Sequence, residues 1–387
     1  MRVLLSTYGS RGDVAPMVAL GAALQALGVQ VRVCAPPDKE FADLLAGADL
    51  PSVPFERPWR SWVRPSTAQE RTQRVDDFIA AQYDTLLAAA AECDVLVATA
   101  MSHFVAQSVA EKWAIPHRYA MFAPSVVHDQ DAQNWNALFG PPINSHRTSI
   151  GLVPVPDIRR FMFTDQPWLA ADPTLGPWPE SGDLEAVQTG AWILPDERAL
   201  PSALQAFLSA GAPPVYVGFG SMRTVAPDTA QAGIEAVRAQ GRRVLLARGW
   251  AGLAAADERE DCFVIGEVNQ QALFRRVAAV VHHGGAGTTT TAALAGTPQV
   301  IVPQAGGDQL YWARRAEELG IGAAHDGATP TVASLSASLH TALTPESLER
   351  ATAIAGTIRT DGATAAARLL LEMDSGIFLD KPGRRAR

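Results

Sequence analysis

Cysteine is scarce: Cys34, Cys93 and Cys262 are the only three in 387 residues, far apart and with no Cys-x-x-Cys spacing. A disulfide framework or thiolate zinc site is therefore not expected, and a reducing compartment fits better. Each thiol is expected to be a small buried hydrophobe. No apolar run reaches the roughly 18 residues of a membrane helix, so no membrane partner is expected. The chain opens on a strand-like run, so a secretory leader is not expected and a cytoplasmic location is. Positive charge is also short. With 32 Lys and Arg against 40 Asp and Glu, the net charge of -8 argues against nucleic acid, whose phosphates need a basic face. Two nucleotide signatures are missing, the Gly-x-x-x-x-Gly-Lys-Ser/Thr loop and Gly-x-Gly-x-x-Gly, and without the second a nicotinamide dehydrogenase has little support. The histidines show no metal-cluster spacing, and no Asp-x-Asp motif is read as a metal site.

What is present is ordinary core material, 48% apolar and 19% charged. The length suits two or three domains, two being simplest. Apolar runs at 3–5, 29–35 and 94–99 read as strands, and 14–27 and 78–91 as helices, with Gly28 stopping the first helix. A second start at 215–221 leads into strand-like runs at 244–247, 262–265, 277–282 and 299–302. Strand and helix in alternation imply α/β architecture with parallel, doubly wound sheets. The expected division is 1–195, a proline-flanked linker with a short helix at 196–213, and 214–387. Helix-forming sequence runs from Ser347, and the basic tail 381–387 is expected to fray. Two stretches break the rhythm. Residues 51–68 crowd Pro, Arg and two Trp into a loop that either contacts a large apolar ligand or folds onto its own domain. Residues 123–148 read as polar and irregular.

The richest stretch is 280–298, "VVHHGGAGTTTTAALAGTP". A strand ends in two histidines, three glycines follow within four positions, and four threonines open an Ala/Leu helix. Glycines let the backbone approach a ligand, while threonine hydroxyls and free helix-start N–H groups bind anions. His283 adds a hydrogen bond or positive charge. The pattern reads as a pyrophosphate site, with a plain glycine-rich turn as the alternative. Residues 6–16, "STYGSRGDVAP", admit three readings: a phosphate cradle, an adhesion Arg-Gly-Asp tripeptide, or a turn presenting Asp13. The expected compartment removes the second. Asp13 also suits an N-cap for a helix beginning near Val14.

The strings "GSRGD", "INSHRTSIGL", "FTDQPWLAADP", "VQTGAWILPDER", "VYVGFGS", "GEVNQQALF", "VHHGGAGTTT" and "IRTDG" together resemble the GT-B fold glycosyltransferases of the UDP-glycosyltransferase type. The likeness is closest to the actinomycete enzymes that glycosylate vancomycin-type glycopeptide aglycones. It implies two Rossmann-like domains facing a cleft, acceptor-binding first and nucleotide-sugar-binding second, with a last helix at about 362–378 crossing back. By resemblance, Asp13 is the catalytic base of an inverting transfer to an acceptor hydroxyl. Ser221, His283, Gly285, Gly287 and Thr288 match diphosphate positions. Ser10, Arg11 and Gly12 are further candidates on the donor side, with Arg11 either touching the donor phosphate or facing solvent. Trp250 and Val268 match nucleobase contacts, by stacking and through the backbone. Asp308 and Gln309 match the pair that bonds the donor sugar, within a loop that reads one residue longer than in relatives. The donor is a UDP- or dTDP-sugar cosubstrate, and neither a resident cofactor nor a metal is implied. Within the fold, a polyketide or macrolide acceptor and a non-catalytic auxiliary protein are the alternatives.

Overall fold

A computed structural model of the chain describes residues 1–378 except 63–66, 126–131, 180–183, 256, 258 and 306. The strands are β1 (Arg2–Tyr8), β2 (Gln30–Ala35), β3 (Ser52–Pro54), β4 (Val95–Ala100), β5 (His117–Met121), β6 (Trp168–Leu169) and β7 (Val187–Gln188) in the first half, and β8 (Val215–Val217), β9 (Val244–Ala247), β10 (Cys262–Ile265), β11 (Ala279–His282), β12 (Gln299–Ile301) and β13 (Gly322–Ala324) in the second. The first seven form one sheet in the order β3-β2-β1-β4-β5-β6-β7, the other six a second in the order β10-β9-β8-β11-β12-β13. All pairings are parallel, with Leu5 beside Val33 on one side and Val97 on the other. Both sheets reverse their winding next to the first strand, between β1 and β4 and between β8 and β11. Ligands of such sheets sit beyond the carboxyl ends of the strands at that reversal.

Burial on both faces explains the continuous apolar strands. Leu4 and Leu96 point into one core, and Val3, Leu5 and Val97 into another. The second core includes Val14 and Val18 of helix Arg11–Ala26 and Ala363, Ala366, Ala367 and Leu370 of the final helix Gly362–Phe378. That helix therefore lies on the first domain. The crossing is tight, since a Cβ at Gly362 would sit 2.4 Å from the Gly190 carbonyl carbon, so only glycine fits. Nearby, Asp172 accepts from Arg359 N at 2.9 Å, and Arg315 donates to the carbonyls of Thr174 and Leu175, both at 3.1 Å.

Several elements differ from the sequence reading. β1 runs on to Tyr8 and the first helix begins at Arg11, so Ser10 is its N-cap and Asp13 is not. The short helix expected within the linker spans residues 202–209, but its Leu204 and Leu208 pack with Tyr216 and Leu245, so it belongs to the second domain's core. Residues 51–62 fold onto their own domain: Trp62 is buried against Tyr8 and Phe78, and Trp59 is half-buried. The "irregular" stretch contains helix Ala132–Ser149 despite Pro141 and Pro142. Of the cysteines, Cys34 is buried and the other two half-buried. The tail 381–387 lies outside the described residues.

Candidate active site

Two corners form the site, each a strand, a short glycine turn and a helix. In the first, β1 ends at Tyr8 and Ser10 caps the helix. Ser10 Oγ accepts from Gly12 N at 3.3 Å, and Asp13 Oδ2 accepts from Ser10 N at 2.7 Å and Ser10 Oγ at 3.1 Å. This is a capping box with Asp in the place usually taken by Glu or Gln. Gly9 makes the seat: a Cβ there would lie 2.2 Å from Asp13 Oδ2. Burial raises the Asp13 carboxyl above its ordinary value, and the two Ser10 bonds partly offset that.

In the second corner, β11 ends at His282 and helix Ala286–Leu294 starts after Gly285, an N-cap with no side-chain bond. Its first N–H groups have no intrahelical acceptor and carry the positive end of the helix dipole. Thr289 and Thr291 turn their hydroxyls back onto the carbonyls of Gly285 (3.0 Å) and Gly287 (2.8 Å). Among the described residues, no such back-bond ties Thr288. His283 is wedged between glycines: a Cβ at Gly220 would lie 3.4 Å from its Cε1, and one at Gly285 would lie 2.7 Å from its Nε2. Its Nδ1 is buried without a partner. Burial lowers the imidazole to about 4, so near neutrality it donates a hydrogen bond rather than a positive charge.

His282 is the support. Its Nδ1 accepts from Gly284 N at 3.1 Å, and its Nε2 meets Gln299 Oε1 at 2.9 Å, whose amide donates to Thr289 O at 3.2 Å. Gly284 has φ +89°, and a Cβ there would be 3.0 Å from Gln309 O, so helix Asp308–Glu318 crosses directly over the loop. Asp308 stands at that helix start. Burial and then the negative charge of Asp13 across the cleft raise it to about 6, against the opposing pull of backbone N–H groups. Gln309 turns inward: its Oε1 accepts from Gln304 N (2.8 Å) and Ala305 N (3.0 Å), holding the loop before the helix.

The other expected residues gather around the corners. Ser221 is half-buried beyond β8, and Trp250 N donates to Gly220 O at 2.9 Å, tying indole and turn together. Val268 is half-buried beside Glu267, which takes an ion pair from Arg11 at 3.0 Å and from Arg198 at 3.3 Å. Gly12 and Gly287 are exposed, and a Cβ on Gly287 would touch nothing. His103 and His117 are buried and His146 half-buried, while His128 lies outside the described residues. The sequence's one Asp-x-Asp spacing, Asp129-Gln130-Asp131, also lies outside them. Among the described residues no group of three His, Cys, Asp or Glu gathers to hold a metal, and no helix is long and apolar enough to cross a membrane. A cavity of about 820 Å³ lined by Gln107, His117 and Arg118 opens at the amino end of β5, the wrong end of the sheet for this site. Sequence reasoning missed Gly9, Arg60, Arg223 and Glu267. Gly9 alone carried a signal, a glycine directly after a buried strand.

Residues 3–129 match the family described as glycosyltransferase family 28 N-terminal domain, and residues 260–367 that described as erythromycin biosynthesis protein CIII-like, C-terminal domain. The chain is 52% identical to Glycosyltransferase GtfE and 51% identical to vancomycin aglycone glucosyltransferase, each over 96% of this chain and 97% of the relative. It is 48% identical to dTDP-epi-vancosaminyltransferase over 99% of both chains. All three relatives are from Amycolatopsis orientalis. Among solved structures, a glycosyltransferase of kitacinnamycin superposes with a TM-score of 0.75 at 22% identity, covering 96% of this chain and 98% of that one. VinC, solved with dTDP, gives 0.73 at 21%, covering 97% and 100%. These structures carry the GT-B fold alone.

Proposed function

The chain belongs to the glycosyltransferases of the family 28 type, and from that premise we propose that it moves a sugar from a UDP- or dTDP-sugar to a hydroxyl of a glycopeptide aglycone or pseudoaglycone, with inversion and without a metal. The observation that carries the reading is that Asp13 is close enough to raise Asp308 by its charge, while the helix that Asp308 opens lies over the loop of the uncapped helix start and the unpartnered His283 imidazole.

In the proposed step, the acceptor hydroxyl gives its proton to Asp13 as its oxygen bonds the anomeric carbon. The bond from that carbon to the diphosphate breaks, and its electron pair leaves with the phosphate oxygen. His283, Thr288, Ser221 and the N–H groups at the start of helix Ala286–Leu294 meet the charge that builds there. Burial raises the Asp13 carboxyl, which makes its ionised form a stronger base than an ordinary carboxylate. One base and one displacement imply inversion. Asp308 bonds the donor sugar's hydroxyls, Gln309 holds the loop that presents it, and Arg11 adds charge on the donor side. Trp250 stacks on the nucleobase while the Val268 backbone bonds its edge.

A panel of UDP- and dTDP-sugars against glycopeptide, macrolide and other polyketide aglycones, read by mass spectrometry, tests the assignment. A mass gain of one sugar on a glycopeptide acceptor is expected. Gain confined to a macrolide or polyketide moves the acceptor class. Nucleotide-sugar binding without transfer or slow donor hydrolysis favours an auxiliary protein.

A further inference from the structure

The indole of Trp250 is already covered. Arg60, from the opposite domain, lays its guanidinium 4.1 Å from the ring centroid, well inside cation–π range. The ring of Phe41 lies 5.9 Å from the same indole, tilted by 36°. A flat base inserted between the indole and either neighbour needs two van der Waals contacts of about 3.5–4 Å each. Neither gap provides that, so one neighbour has to move. Phe41 is fully buried in the first domain's core. Arg60 is a surface side chain, 49% exposed, bonded to Glu40 at 2.5 and 2.9 Å. Exposed pairs of this kind hold weakly.

The backbone beneath Arg60 is, by contrast, fixed. The buried carboxylate of Asp38 accepts from Trp59 N at 2.6 Å and Arg60 N at 3.1 Å. From across the cleft, Arg223 donates to the carbonyls of Arg60, at 3.1 Å, and Trp62. A pinned main chain with a loosely held head makes a hinged cover.

We propose that Arg60 is the cover of the nucleobase position: its guanidinium occupies the indole surface that the donor's pyrimidine takes, and the base enters by displacing it. This rests on Trp250 being the stacking residue. Arg60 then sets donor affinity with a negative sign. A residue that held the bound nucleotide would weaken binding when removed, whereas a cover strengthens it.

Calorimetric titration of UDP and dTDP into the full chain tests this with wild type, Arg60→Ala, Arg60→Lys and Trp250→Ala, each checked for folding by circular dichroism. Arg60→Ala is expected to tighten binding about 3- to 10-fold. Arg60→Lys, which keeps the charge but loses the planar stack, falls between it and wild type, and serves if the alanine variant does not fold. Trp250→Ala weakens binding tenfold or more. Unchanged or weaker binding in the Arg60 variants, with Trp250→Ala still impaired, overturns the cover. Unchanged binding in Trp250→Ala overturns the stacking role on which it rests.

Discussion

The corner at Ser10–Asp13 and the corner at His283–Thr288 share a backbone plan and differ in how the helix start is satisfied. In the first, Ser10 and Asp13 consume the free donors between them and place a carboxylate at the positive end of the helix. In the second, Gly285 brings no side chain, and the donors stay open. An anion is turned away by one and welcomed by the other. On the proposed reading, the capping residue and not the glycines separates a base corner from a phosphate corner, and the filled cap at Ser10 argues against the phosphate reading of residues 6–16.

The sharpest way to break the contrast is to neutralise one corner at a time. Asp13→Asn keeps most of the cap and removes the base, so kcat should fall about 10²- to 10⁴-fold while the Kd for the nucleoside diphosphate moves less than about twofold. Steady-state kinetics with calorimetry reads both, and near-wild-type turnover would sink the base role. His283→Ala acts on the other corner. It should lower kcat/KM about 10²- to 10³-fold and weaken diphosphate binding as well. Loss of rate with unchanged binding would mean that His283 acts only in the transition state.

The second corner was legible because its signal is local. Histidines, glycines and threonines lie within ten consecutive residues, and a buried strand precedes them. The first was half legible. The Asp13 carboxylate could be found, but the helix start was misplaced by three residues because Ser10, not Asp13, is the cap. The parallel sheets followed from the apolar runs, yet the short strands β6, β7 and β13 at or beside the sheet edges left no periodic trace. Arg60, Arg223 and Glu267 were illegible for another reason. The partners they meet across the cleft lie 161 or more residues away in sequence, and nothing in the spacing of "PWRSW" marks an arginine that will cover an indole.

Gly9 offers a finer cut, because it tests the seat without touching the carboxylate. Gly9→Ala drives a methyl into the space of Asp13 Oδ2, so the carboxyl must turn away. Turnover should drop about tenfold or more, since misplacing a reacting group by about 1 Å can cost as much as 10². Gly12→Ala is the control. Its methyl would meet nothing nearer than 3.5 Å, so Asp13 keeps its place, and any loss should be smaller than in Gly9→Ala and fall on the donor KM rather than on kcat. Equal losses in both variants would mean that the turn is merely sensitive to bulk.

The smallest expected effect is the most specific, because it reads the two corners through one field. Asp13 must be ionised to accept a proton, so kcat/KM should fall on the acid side as its raised pKa is crossed. Asp308, held at about 6 partly by the charge of Asp13, returns the same repulsion to Asp13, since a Coulomb interaction is mutual. While Asp308 is ionised, Asp13 holds its proton more tightly, which moves the acid limb toward neutrality. Asp308→Asn removes that charge, so Asp13 should ionise more readily and the limb should shift to lower pH. The absolute rate also falls if the donor sugar loses a partner, but the position of the limb does not depend on that loss. A limb that stays in place would mean that the carboxylates do not sense each other, and a limb that moves upward would reverse the sign of the argument.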